Sequence, residues 1–167
     1  FALSMANIDG YYYKPRIDLE LLFNIPKDNV IVTSACIAGW NYGDAEKIWL
    51  KVHQYFGDNF FLELQYHDTD IQKELNKKII RIAKENDIQI ICGLDSHYIS
   101  EENSVKRDQI LKYKNITYPE ETGWYMDYPD TKTVIKRFKK QGILTDEEIL
   151  IAIMNTNVFV SECEDII

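Results

Sequence analysis

Three short apolar runs punctuate the chain: Val30-Ile31-Val32-Thr33-Ser34, Phe60-Phe61-Leu62-Glu63-Leu64-Gln65-Tyr66, and Gln89 to Leu94. Continuous apolar runs bounded by turn residues are the pattern of strands buried on both faces. Between and after them the apolar period changes to that of a helix. Asp44 caps a stretch to Phe56 with Ile48, Val52, Tyr55 and Phe56 on one face, and Gly57-Asp58-Asn59 ends it. The capping box Thr69-x-x-Gln72 opens a second helix, with Ile71, Leu75, Ile79 and Ile82 at helical spacing up to Asn86. Its other face carries Lys73, Lys77, Lys78, Arg81 and Lys84, the pattern of a solvated face. Ser100 caps a third helix from about Glu101 to Leu111. The order β-α-β-α-β-α predicts a parallel sheet with right-handed crossovers.

The flanks are less regular. Residues 1–9 read as the end of a helix, broken by Gly10, and Asp18 caps a short helix through Phe23 before the Pro26-Lys27-Asp28-Asn29 turn. Tyr118 to Asp130 is a proline- and aromatic-containing loop. Helices follow over Thr131–Lys140, closed by Gly142, and Asp146–Asn155, opened by the box Thr145-x-x-Glu148. Thr156 to Ile167 extends the last helix or forms another. The segment Tyr11-Tyr12-Tyr13-Lys14-Pro15-Arg16 interleaves aromatics with cations, as a surface that stacks on a nucleotide strand would. The reading preferred from sequence is a buried aromatic staple whose Arg16 pairs with a carboxylate.

Composition narrows the classes. The 167 residues are 46% hydrophobic and 28% charged, an ordinary globular balance, and a net charge of -8 gives no general attraction to phosphate backbones. Cys36, Cys92 and Cys163 are odd in number and widely spaced, which fits a reducing compartment better than a disulfide framework. No apolar run reaches the roughly 18 residues of a membrane span. The expectation is a soluble, cytoplasmic protein with no membrane partner. Neither a G-x-x-x-x-G-K-[ST] nor a G-x-G-x-x-G phosphate loop is present.

Candidate chemistry gathers where the strands end, the edge of an α/β sheet at which sites form. Asp95 and His97 follow the third strand, and an Asp oxygen and an imidazole two residues apart can turn toward one ion. Read alone, the pair equally admits Asp95 as a helix cap and His97 as a packed side chain. Cys36 follows the first strand; a free cysteine is usually a small buried hydrophobe, yet this position admits a ligand. Glu63 interrupts a buried run and must be paired, hydrogen-bonded or metal-bound. His67 follows the second strand, while His53 lies within a helix as a surface or packing residue. Cys36, Glu63, His67, Asp95 and His97 are expected to converge on one edge of the sheet.

Four segments in fixed order carry a resemblance: Gly10-Tyr11-Tyr12-Tyr13-Lys14-Pro15-Arg16-Ile17-Asp18, Thr33-Ser34-Ala35-Cys36-Ile37-Ala38-Gly39, Phe60-Phe61-Leu62-Glu63-Leu64-Gln65-Tyr66-His67, and Leu94-Asp95-Ser96-His97-Tyr98. Together the sequence resembles the polymerase and histidinol phosphatase (PHP) domain of bacterial DNA polymerase III alpha subunits, over roughly Gly10 to Leu111. The family's early His-x-His motif has no counterpart, so the expected match is to the later part of that domain, as a cloned fragment or a split or degenerate gene product. Trp40 stands where Gly-Glu is common and Ser96 where Val is common.

The resemblance implies a partial, distorted TIM-like β/α barrel over residues 1–112, lacking its first strands, and a helical extension of the same domain over 113–167. It implies metal ligands at Cys36, Asp95 and His97, with Glu63 and His67 in a supporting role. The implied cofactor is Zn²⁺ or Mn²⁺, with Mg²⁺ less suited to a thiolate and an imidazole. The implied function is a structural module of a DNA-directed DNA polymerase with a phosphoesterase or 3′-5′ exonuclease site, weak or inactive in this chain alone. Its partners would be the remainder of the alpha subunit, DNA through that parent, and a second copy through exposed barrel edges. The other readings are a free-standing PHP phosphatase and a catalytically empty interaction module. No catalytic or nucleic-acid-binding residue is assigned.

Overall fold

A computed structural model describes residues 2–40, 43–118 and 123–162. Cys163 and the tail beyond it lie outside the described residues, as does part of the loop expected over Tyr118–Asp130. Three parallel strands, β1 (Val32–Thr33), β2 (Phe60–Leu64) and β3 (Gln89–Cys92), lie in the order β1-β2-β3. The described helices are α1 (Ala2–Ile8), α2 (Leu19–Phe23), α3 (Ile37–Trp40), α4 (Ala45–Phe56), α5 (Asp70–Asn86), α6 (Ser104–Tyr113), α7 (Thr131–Gln141) and α8 (Asp146–Glu162). The class is α/β with a mainly helical C-terminal part, and the sheet is open.

β2 is the centre. Its period of two sends Phe60, Leu62 and Leu64 into the main core, where Trp49, Val52 and Phe56 of α4 and Leu75, Ile79 and Ile82 of α5 meet them. Phe138 of α7 and Ile149 and Ala152 of α8 complete that core. Fully burying each such aliphatic or aromatic side chain contributes about 1.5–3 kcal/mol. Phe61 and Glu63 take the other face of the strand.

The local signals hold at most ends. Asp18, Thr69 and Asp130 accept from Leu21, Gln72 and Thr133 amides, and Asp87 and Gly142 close α5 and α7 in left-handed conformations. Thr145 and Glu148 form a reciprocal box at the start of α8, with both Oγ1 and Oε2 accepting backbone N–H groups. The expected extension of this helix past Asn155 continues to Glu162.

Several expectations are corrected. The first strand shortens to two residues because Ala35, at φ 55°, turns the chain out of the sheet. Asp44 precedes α4 but makes no capping bond, and its buried face uses Ala45 and Trp49 while Ile48 is exposed. Ile71 is likewise exposed on α5. Ser100 precedes a single 3₁₀ turn rather than α6 itself. The aromatic staple is not buried: Tyr11, Tyr12 and Tyr13 are 60%, 64% and 80% exposed, and Arg16 lies over the Tyr12 ring, 5.3 Å from its centroid.

The outer edge of β3 is covered by α8. Asn155 Nδ2 donates to the Ile90 carbonyl at 2.8 Å, so a side chain supplies the partner that a fourth strand would.

Candidate functional site

Past β2 the chain continues buried through Gln65, Tyr66 and His67; past β3 the Gly93 amide still donates to the Leu64 carbonyl at 2.9 Å. A Cβ at Gly93 would sit 1.9 Å from Glu63 Oε1, so a side chain there would displace the Glu63 carboxylate. Two residues later Asp95 takes φ 51°, a left-handed turn that Asp tolerates. This turn brings its carboxylate between two imidazoles. Oδ2 lies 3.4 Å from Nε2 of His67, and Oδ1 lies 3.5 Å from Nε2 of His97.

The two histidines differ. His97 is half exposed, whereas the His67 side chain is fully buried, with its ring 4.5 Å from the Trp124 ring. His67 Nδ1 accepts the Tyr125 backbone N–H at 3.1 Å. Its Nε2 faces Asp95 without a well-formed hydrogen bond and has no other partner among the described residues. The His67 N–H beside Asp95 holds that carboxyl below its ordinary range, against the opposing effect of partial burial.

Residues 123–128 strap this edge together. The Asp68 amide donates to the Gly123 carbonyl at 2.8 Å, the His97 amide to the Met126 carbonyl at 2.8 Å, and Ser96 Oγ to the Asp127 carbonyl at 2.8 Å. Gly123, at φ 89°, leaves no room for a Cβ, which would lie 2.6 Å from the Asp68 carbonyl oxygen. Asp127 anchors the strap to α7 through a two-pronged pair with Arg137, at 2.6 and 2.8 Å. The Arg137 guanidinium also lies 4.3 Å from the Tyr125 ring centroid.

Glu63 is held by hydrogen bonds. Thr33 Oγ1 donates to its Oε2 at 3.2 Å and Gln65 Nε2 to its Oε1 at 2.9 Å. Burial, with the Glu63 charge added, pushes the Cys92 thiol up to about 12, so the thiol is protonated at neutral pH. Cys36 is half-buried just before α3. β2 lies between its strand and that of Asp95, and two strand spacings amount to about 10 Å. Asp95, His97 and His67 are therefore brought together, and Cys36 is not among their partners. Among the described residues no group of three or more His, Cys, Asp or Glu side chains is placed to hold a metal ion. In donor chemistry, the Asp95 and His97 pair suits a divalent ion as part of a coordination shell.

Sequence reasoning missed the strap. Its signal was a loop of the length, about 12–15 residues, that is usually functional when it lacks secondary structure.

No family model matches the chain. Curated relatives do. It is 33% identical over 118 residues to the DNA polymerase III subunit alpha of Borreliella burgdorferi, covering 65% of this chain and 10% of that protein. The corresponding subunit of Aquifex aeolicus is 35% identical over 108 residues, covering 60% and 9%, and that of Treponema pallidum 36% over 117 residues, covering 65% and 10%. The chain is related to a region of the DNA polymerase III alpha subunit. It spans about a tenth of the length of these relatives. Among the described residues no helix is long and apolar enough to cross a membrane.

Proposed function

We propose that the chain forms the later part of a PHP-like module of a replicative polymerase alpha subunit. In this reading Asp95 and His97 are one side of a divalent-metal cluster of the phosphoesterase class, and Cys36, two strand spacings away, would serve another ion of that cluster. The relatives' names, the ordered motifs and the clustering at strand ends support it. The observation that carries it is the Asp95 carboxylate, held at the sheet edge between one buried and one open imidazole.

A Zn²⁺ or Mn²⁺ ion at such a site would polarise a phosphate ester and lower the pKa of bound water. Asp95 would supply oxygen and His97 nitrogen. The strap and Trp124 exclude water from the His67 side, leaving His97 as the open face. With only two of these donors in mutual contact, hydrolysis by this chain alone is expected to be weak or absent. Its role then lies with the remainder of the alpha subunit, and through that with DNA.

The test is the Zn and Mn content per chain after dialysis, for the wild type and for Asp95→Ala with His97→Ala. Metal retained by the wild type and lost by the double variant is the expected result. A wild type that retains neither metal, or a double variant that retains as much, contradicts the site.

A further inference from the structure

We infer that His67 is a positioning residue that holds Asp95 through Nε2–H and stands outside any ligand set. The inference rests on the reading of Asp95 as a ligand. It begins from the Tyr125 amide, which can only donate. Because that amide donates to His67 Nδ1 at 3.1 Å, Nδ1 must present its lone pair. A neutral imidazole then carries its proton on Nε2. A metal ion at Nε2 would need the lone pair that this proton occupies. Binding there requires either stripping both ring nitrogens or turning the ring and abandoning the Tyr125 amide. Turning is opposed by complete burial of the side chain and by the Trp124 ring 4.5 Å away. The histidine closest to being a third ligand is thus excluded by the strap residue it serves.

The two Asp95 oxygens consequently have different duties. Oδ2 faces the His67 N–H, and Oδ1, on the His97 side, is left for an ion. Orienting a ligating carboxylate or imidazole by an outer hydrogen bond is a general property of metal sites. The 3.4 Å separation is long for a finished bond, and such contacts commonly tighten when a site is loaded.

The experiment combines long-range ¹H–¹⁵N imidazole spectra of the labelled chain with calorimetric Zn²⁺ binding to wild type, His67→Leu and His67→Gln. His67 is expected to show the Nε2–H neutral pattern and to keep it when Zn²⁺ is added, while the His97 nitrogens shift. His67→Leu should raise the Zn²⁺ Kd about 10–100-fold. His67→Gln, whose amide places an N–H near the lost Nε2, should restore most of that loss. An Nδ1–H pattern, a zinc-induced shift of His67 Nε2, or a leucine variant that binds like the wild type overturns the inference. The last of these leaves the metal reading intact, whereas a wild type that takes up no Zn²⁺ removes the reading itself. The spectra need only the wild type, so they decide the tautomer even where the leucine variant does not fold.

Discussion

Two polar clusters lie back to back along residues 65–67, and they differ in chemistry. On one side Gln65, Gln72, Asn76 and Gln141 are buried together. Asn76 Nδ2 donates to the Gln65 carbonyl and to Gln141 Oε1, each at 2.8 Å, and Gln141 Nε2 donates to the carbonyls of Gln65 and His67 at 3.1 and 2.8 Å. Gln72 Nε2 donates to Asn76 Oδ1 at 3.0 Å. Every amide nitrogen of this group has an acceptor, and only the oxygens Gln65 Oε1 and Gln72 Oε1 lack a donor among the described residues. On the other side His67, Asp95 and His97 leave a buried N–H poorly met and one imidazole open to solvent. Amides neither titrate nor ligate strongly, so the first cluster ties the end of β2 to α5 and α7. The second cluster holds the groups that can bind an ion. Both clusters leave buried polar atoms unmet, so what separates them is side-chain chemistry: amides tie elements together, whereas a carboxylate between two imidazoles carries groups that titrate and donate lone pairs.

The strongest way to break this comparison is Asn76→Ala. It removes two donated hydrogen bonds and strands Gln141 Oε1 and Gln72 Nε2, so unfolding in urea should show a loss of roughly 3 kcal/mol. The His97 imidazole signals should stay in place. A loss near zero would make the amide cluster a bystander.

A smaller effect sharpens the role of the strap. The Arg137 guanidinium beside Asp127 holds its carboxyl below the ordinary range, and burial opposes this. A depressed folded value means that the stabilisation is present above the unfolded Asp value of about 3.9 and is lost as pH falls through the folded value. Asp127→Asn should therefore cost about 1–2 kcal/mol at pH 7. It should also flatten the decline in urea midpoint below about pH 4. An unchanged decline would assign the acid sensitivity to other carboxylates.

What was legible in the sequence was local. The core of the β2 run, the Leu75, Ile79 and Ile82 period of α5 and the Thr145–Glu148 box each rest on neighbours within a turn or a strand, and each was found where expected. Convergence of His67 with Asp95 followed from the βαβ order alone. The strap was not legible, because its bonds join Gly123, Tyr125 and Met126 to residues nearly thirty or more positions away. Nor was the exit from the first strand, where Ala35 adopts positive φ without the glycine that usually announces it. Tyr13, also at positive φ, turns the aromatic segment outward in the same unannounced way. The position of Cys36 depends on how many strands intervene, and the run of residue types does not state that.

The most direct measurement is the Zn²⁺-dependent shift of the urea midpoint in wild type, Asn76→Ala and Asp95→Asn. Asparagine tolerates the left-handed turn at residue 95, so the fold is expected to survive that substitution. A ligand that binds only the folded state raises its stability. The account predicts that Asn76→Ala is less stable yet keeps the zinc shift, while Asp95→Asn keeps most of its stability and loses the shift. A zinc shift that survives in Asp95→Asn, or disappears in Asn76→Ala, would contradict it.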